Sequence, residues 1–482
     1  METRNRQILF WTLVCFFTVT AFLIIPYAIG YRFSFERGIF IYTGSITIKA
    51  NPQSVAIMID GQEVASKQTN RLNNSYHIGG IHPGEHFITV TAPDFTQWSK
   101  KVSINSGLST EFWNVLLTRT DYPRTVYPTD RISTFFYDTQ KQEAAYVQTK
   151  ESGFRVGVYT LGSNPASSIV FNTNDYQFPT DDRENIEWSP KERKIIIPAV
   201  ANNERNYFMV DVDTKDTLDL KKLSQLTSME NARWDSANRN YVYFISNNNL
   251  IRLNITDPTD QKTVAENVAS YDLSSGQVYY FQLPSGIVYK RDPTSSNDPI
   301  QVTTAPPNQM SNADYQITVY DDKRIVFLNT SGDLYLNNIG DRGEYFPHLS
   351  GNARGTQFSD DGKKLLFWSD WEISTYFLRD WEVQPFRSEN ETRDVTRFAD
   401  SISNVQWSKD YEHVVFSTGN KIKIVELDYR DQRNLHDIIT LTANRTKAVT
   451  DFPNELLYFT DQDQEATNLY SIPFPEKSGL FQ

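Results

Sequence analysis

The sequence predicts an all-β protein carried on one N-terminal transmembrane helix, a small β-sandwich followed by a β-propeller. Three observations lead there. Residues 8–30 form one uncharged apolar run. The chain holds 26 Tyr and 30 Phe, mostly in short runs bounded by turn residues, as pleated half-buried strands require. From residue 130 onward one pattern recurs: an aromatic, a polar turn, an apolar run, a second turn and another alternating run. Its clearest copy is TQFSDDGKKLLFWSDWEISTYF at 356–377. The copies return at roughly 40–50 residues, the length of a four-stranded propeller blade.

Taken in order, residues 1–7 carry Arg4 and Arg6 ahead of the apolar run. A span needs about 20 apolar residues, and 8–30 supplies it. Basic residues before the span keep the N-terminus cytoplasmic and put the remainder outside, although Arg32 and Arg37 reduce the asymmetry. A cleaved signal peptide is the competing reading. It would have a shorter apolar core and a small-residue cleavage site, which Ile25-Pro26-Tyr27-Ala28 does not provide. The expectation is a single-pass anchor in the bilayer. Residues 31–43 follow as a juxtamembrane stretch whose Tyr, Phe and Arg suit the membrane interface.

From Gly44 the pattern changes to short alternating strands. SITIKA, VAIMI and FITVT are separated by Asn51-Pro52, Asp60-Gly61 and Pro83-Gly84, and 101–104 and 112–117 read as closing strands. Two such layers face to face make a sandwich of roughly 70 residues, near the lower limit for independent folding. The order Gly44, Pro52, Asp60-Gly61, Ile81-x-Pro83-Gly84-x-His86-x-Ile88-x-Val90 and Phe95 resembles the PEGA domain over 44–118. Of the tetrapeptide that names that family, Pro52-Gln53-Ser54-Val55 keeps only the proline. The resemblance implies a small β module of cell-envelope proteins with a surface or spacer role and no catalytic residues.

Residues 119–129, RTDYPRTVYPT, read as a linker because two prolines interrupt any periodicity. The propeller is expected over 130–482. Its copies place an aromatic before the turn at Trp188, Trp234, Tyr271, Phe358, Trp407 and Phe452. One such sheet cannot bury both faces alone, so neighbours stack around an axis and the ring closes. Eight blades are expected, with seven the alternative because the copies at 134–161 and 269–290 are weak. A closing blade that mixes N-terminal and C-terminal strands is also expected. The W-S-P, F-S-D-D-G and W-S-K-D turns resemble the TolB-like, WD-repeat-like propellers.

A formal net charge of −12 argues against nucleic acid, whose affinity rests on basic contacts. The single cysteine, Cys15, lies in the apolar run, so no internal disulfide or thiolate metal site is expected. His82-Pro83-Gly84-Glu85-His86 spaces two imidazoles at i and i+4, with His77 nearby, but Pro-Gly forbids the helix a zincin needs. Asp461, Asp463 and Glu465 alternate like a calcium loop without its Gly or distal Glu. Ser359-Asp360-Asp361-Gly362 superficially matches a sialidase Asp box and is better explained as the repeat turn. No G-x-S-x-G, Walker A or G-x-G-x-x-G sequence occurs. Catalytic, cofactor and metal residues are therefore expected to be none.

Two classes of function follow. The first is a non-enzymatic envelope protein whose spacer module presents the propeller to a protein or glycan partner. Asn- and Tyr-rich loops at 202–207 and 247–249 are its candidate contacts. The second is a cell-surface propeller enzyme of glycosidase or lyase type, which would need two carboxylates in the central funnel.

Overall fold

The computed structural model describes residues 3–34, 38–64, 68–70, 73–129, 131–161, 165–180, 185–295, 297–307, 314–444, 446–463 and 466–475. It opens with a helix, Thr3–Ala28, whose span from Arg6 to Ala28 has a mean hydropathy of 2.5 and no buried residues. It is long and apolar enough to cross a membrane. Two of its hydroxyls bond inside the helix: Thr12 Oγ1 donates to the Ile8 carbonyl at 2.9 Å and Thr18 Oγ1 to the Val14 carbonyl at 2.8 Å. This spares polar groups a search for water. A two-stranded hairpin, Tyr31–Ser34 with Ile39–Tyr42, follows.

The sandwich consists of two four-stranded sheets. In one, Gly44–Asn51 lies between Ser109–Leu116, its parallel neighbour, and Ser75–Ile81, with Gln68–Asn70 at the edge. In the other the order is Gln62–Glu63, Ala56–Ile59, Gly84–Thr91, Trp98–Ile104. Alternation turns Ile46, Ile48, Ile57, Ile88, Val90, Trp98, Ile104 and Phe112 into one shared core.

Among the described residues, strands from 125 to 473 form eight successive antiparallel sheets, numbered here 1 to 8. They cover 134–173, 187–219, 230–265, 268–301, 316–350, 355–397, 402–440 and 448–473. The chain is thus a β-propeller. What makes it a ring is the arrangement of its apolar clusters. Sheets 1 and 2 share Val156, Phe171, Ile195 and Val210; sheets 2 and 3 share Ile196, Leu220, Trp234 and Phe244. The series runs unbroken to sheets 7 and 8, and then Phe135 and Tyr146 of sheet 1 pack with Tyr458 and Leu469 of sheet 8. The copies that looked weak in sequence, sheets 1 and 4, are complete four-stranded sheets.

One expectation is corrected. Residues 119–129 are not linker throughout, because Thr125–Tyr127 forms the outermost strand of sheet 8, antiparallel to Ala466–Pro473. Arg124, just before it, pairs with buried Asp461 at 3.0 Å. Tyr127 packs edge-on against Tyr159 of sheet 1 and meets Ser471 Oγ at 3.2 Å. Two prolines flank the strand because an edge strand tolerates them.

The sandwich packs against sheets 6 and 7 through polar contacts. Lys100, fully buried, pairs with Glu426 at 2.6 Å and donates to the Asp428 and Gln432 carbonyls at 2.8 and 2.7 Å. Trp98 keeps its ring in the sandwich core and donates its indole N–H to Glu426 at 2.9 Å. Asn434 bonds Ser99 through both backbone groups, and Gln384 does the same for Glu111 N and the Ser109 carbonyl.

Candidate functional site

The innermost strands obey one rule, which sets the polarity of the propeller interior. Successive side chains on a strand point to opposite faces. The aromatics Trp188, Trp234, Tyr271, Phe358 and Trp407 enter the seams between sheets, so the residues on either side of each face the axis. In sheets 2, 3 and 7 the seam residue is Trp, and its indole N–H donates backwards to the preceding sheet. Trp188 reaches the Phe136 carbonyl at 3.2 Å, Trp234 the Glu187 carbonyl at 3.3 Å and Trp407 the Gln357 carbonyl at 3.1 Å. The axial side chains reach forward. Glu187 accepts from Trp234 N at 3.3 Å, Asp272 from Val319 N at 2.7 Å, Gln357 from Trp407 N at 3.0 Å and Gln406 from Thr450 N at 2.9 Å. Acids and amides at this position therefore work as struts between neighbouring sheets.

Between sheets 2 and 5 the struts enclose a polar cavity of about 410 Å³, lined by Asn185, Glu187, Asn231, Arg233, Asp272 and Gln316 among others. Arg233 lines it 2.6 Å from Asp272 and 3.5 Å from Glu187. Asp272 also accepts from Leu273 N at 2.8 Å. Burial raises Glu187 to about 7, against the pull of Arg233 and the Trp234 N–H. Burial opposes the charge on Arg233, but Glu187 and Asp272 outweigh it and hold the guanidinium above its ordinary value. Ser270 is buried in the same wall, and its hydroxyl has no partner among the described residues. Tyr271 is spoken for: its hydroxyl donates to the Asn231 and Tyr243 carbonyls.

The residues singled out in the sequence fall elsewhere. His86 meets Asp60 Oδ2 with one ring nitrogen and the His82 carbonyl with the other, both at 2.7 Å, so the two histidines do not converge as ligands. Asp461 is engaged by Arg124 and by the Thr442, Ala443 and Gln462 N–H groups; Glu465 lies outside the described residues. Ser359 and Asp361 close their own turn, with Ser359 Oγ donating to Asp361 at 2.6 Å and Gly362 at φ +64°. In the loop at 202–207, Asn202 and Asn203 have positive φ and serve as the turn, whereas Asn206 and Tyr207 are buried. Asn247 and Asn248 make the equivalent turn in sheet 3. Among the described residues no group of three His, Cys, Asp or Glu stands together as metal ligands. Glu187, Arg233 and Asp272 went unnoticed in the sequence. Their signal was available: each lies directly beside a repeat aromatic.

No family model matches the sequence, and no curated relative does. Solved structures similar to this chain include Hsv2 from Kluyveromyces lactis, at 12% identity over 64% of this chain and 100% of that one, with a TM-score of 0.41. The Cps50 (Swd1) β-propeller domain of Myceliophteria thermophila is similar at 14% identity over 59% and 94%, with a TM-score of 0.34. An oligogalacturonate lyase in complex with manganese is similar at 10% identity over 73% and 99%, with a TM-score of 0.36.

Proposed function

We propose that this chain is a membrane-anchored, extracytoplasmic binding protein of the cell envelope. In this reading the helix is a single-pass anchor with a cytoplasmic N-terminus, and the 44–118 module is a PEGA-like spacer. The TolB-like propeller takes a partner through the polar cavity between sheets 2 and 5. The observation that carries the reading is the division of labour in that cavity. Arg233 is paired with Asp272 and Glu187, and Asp272 also accepts from two backbone N–H groups. Beside this charged cluster the wall offers neutral groups: Asn185, Gln316 and Thr318. Amides and hydroxyls on a rigid wall suit a ligand rich in hydroxyl groups, a glycan before a polypeptide.

The test is binding of solubilised protein to immobilised envelope polysaccharide, comparing wild type with Gln316→Ala/Thr318→Ala. Both side chains are exposed within the cavity. Each lost hydrogen bond at about 1 kcal/mol predicts a drop of roughly tenfold or more for the pair, with unchanged thermal stability. Equal binding by the double variant, or none by wild type, would overturn the reading. A second reading is a glycosidase or lyase, favoured by the protonation of Glu187 near neutral pH in the funnel. It requires turnover of such a polysaccharide that Glu187→Gln abolishes.

A further inference from the structure

The hairpin after the helix is a two-stranded sheet with no third strand to support it among the described residues. Its register pairs Tyr31 with Tyr42 and Phe33 with Phe40, which collects four rings on one face. Tyr31 and Tyr42 stack at 4.9 Å, and Phe33 meets Phe40 edge-on at 5.3 Å. Ile39 stands on the other face. All five are exposed, Ile39 by 56% and Phe40 by 54%. A lone hairpin is marginal in water, and an apolar ribbon without cover calls for something to lie against it.

The position of the hairpin says what that is. It starts three residues after Ala28, the end of the uncovered apolar helix. It cannot swing away, because Thr43 donates from both N (3.0 Å) and Oγ1 (2.6 Å) to the Gly30 carbonyl. Tyr42 is also pressed against Gly107, where φ is +71° and any Cβ would lie 2.5 Å from the ring. Four residues extend only about 13 Å, so the whole hairpin stays near the helix end. Arg32 stacks 3.7 Å over Tyr27 and donates to the Tyr27 and Tyr31 carbonyls. It has no carboxylate partner among the described residues, and it lines a small pocket with His77, Gly79 and Gly80.

We propose that the bilayer interface covers this hairpin. The Tyr and Phe rings sit at the boundary between headgroups and acyl chains, where such rings partition, and Arg32 faces lipid phosphate. Helix, hairpin and sandwich then form one base seated on the membrane surface. The idea rests on the anchored reading above.

The experiment uses the full chain with Cys15→Ser, which leaves no other cysteine. Nitroxide labels are placed singly at Phe33→Cys, Ile39→Cys and Phe40→Cys in nanodiscs of phosphatidylcholine and phosphatidylglycerol. Phe22→Cys in the helix and Glu63→Cys on the sandwich serve as references. The expected result is a loss of collision with an aqueous nickel chelate at all three hairpin sites relative to 63, with oxygen access between those at 22 and 63. Hairpin sites as open to the chelate as 63, while 22 remains in lipid, overturn this inference alone. A label at 22 that is itself in water overturns the anchor and this inference with it.

Discussion

Lys100→Met should loosen the union of sandwich and propeller. In the folded chain the Lys100 ammonium is fully buried, with Glu426 at 2.6 Å and two carbonyls at 2.7 and 2.8 Å. Removing one member of a buried pair costs about 3–5 kcal/mol, because the survivor is left charged without compensation. Glu426 keeps three donors, Trp98 Nε1 and the backbone and side-chain nitrogens of Asn434, at 2.7–2.9 Å. These place the expected cost at the lower end, about 3 kcal/mol. With about 2 cal/mol/K of unfolding entropy per residue over 482 residues, that is a fall in Tm of about 3 °C.

Calorimetry on detergent-solubilised protein reads this directly, with Glu426→Gln and the double variant completing a cycle. Neutralising both partners removes the stranded charge, so the double variant should be more stable than the sum of the singles by about 1–3 kcal/mol. A Lys100→Met protein within about 0.5 kcal/mol of wild type would show that the ammonium is not desolvated in solution. The junction would then be open to water and the two domains free to separate.

Three further outcomes are expected. Trp407→Ala, which empties a fully buried seam and frees the Gln357 carbonyl, should cost about 3–5 kcal/mol in urea titration. Tyr127→Ala should cost a similar amount and also open the ring at sheets 8 and 1, read as new proteolytic cleavage near residue 125. Glu187, at about 7 in the folded chain, binds its proton more tightly there than when unfolded. Its contribution is therefore complete below the ordinary carboxylate value and is lost as pH rises from there through about 7, so Glu187→Gln should gain on the order of 1–3 kcal/mol on wild type at pH 8 and almost nothing at pH 4.

What the sequence disclosed and what it hid have physical causes. The seams were legible because Trp188, Trp234 and Trp407 stand at the same place before a polar turn, and a turn signal is local. The strand Thr125–Tyr127 was not legible: its three residues, in a gap of four between Pro123 and Pro128, are too few to display a period of two. Glu187, Arg233 and Asp272 looked like the solvent face of an alternating strand. Alternation gives the face, and only ring closure turns that face into the wall of a cavity. Lys100 and Glu426 lie hundreds of residues apart, so their pairing leaves no local trace.

The same contrast bears on how the molecule can work. A spacer joined by a flexible linker would leave a propeller free to sample any orientation above the membrane. Here the last residue before the propeller strand, Arg124, is pinned to Asp461 and the Thr440 carbonyl, while Lys100 of the module and Gln384 and Asn434 of the propeller tie the module to sheets 6 and 7. Ordering these charged and amide side chains costs conformational entropy, which a simple tether would not incur. That expense is repaid if binding depends on orientation: a ligand also held at the envelope meets a preset cavity, and the entropy of alignment has been lost already on folding. The junction variant then gains a functional meaning. On the proposed glycan-binding reading, Lys100→Met should weaken capture of a surface-fixed polysaccharide more than capture of the same polysaccharide in solution, whereas equal losses would mean that orientation contributes nothing.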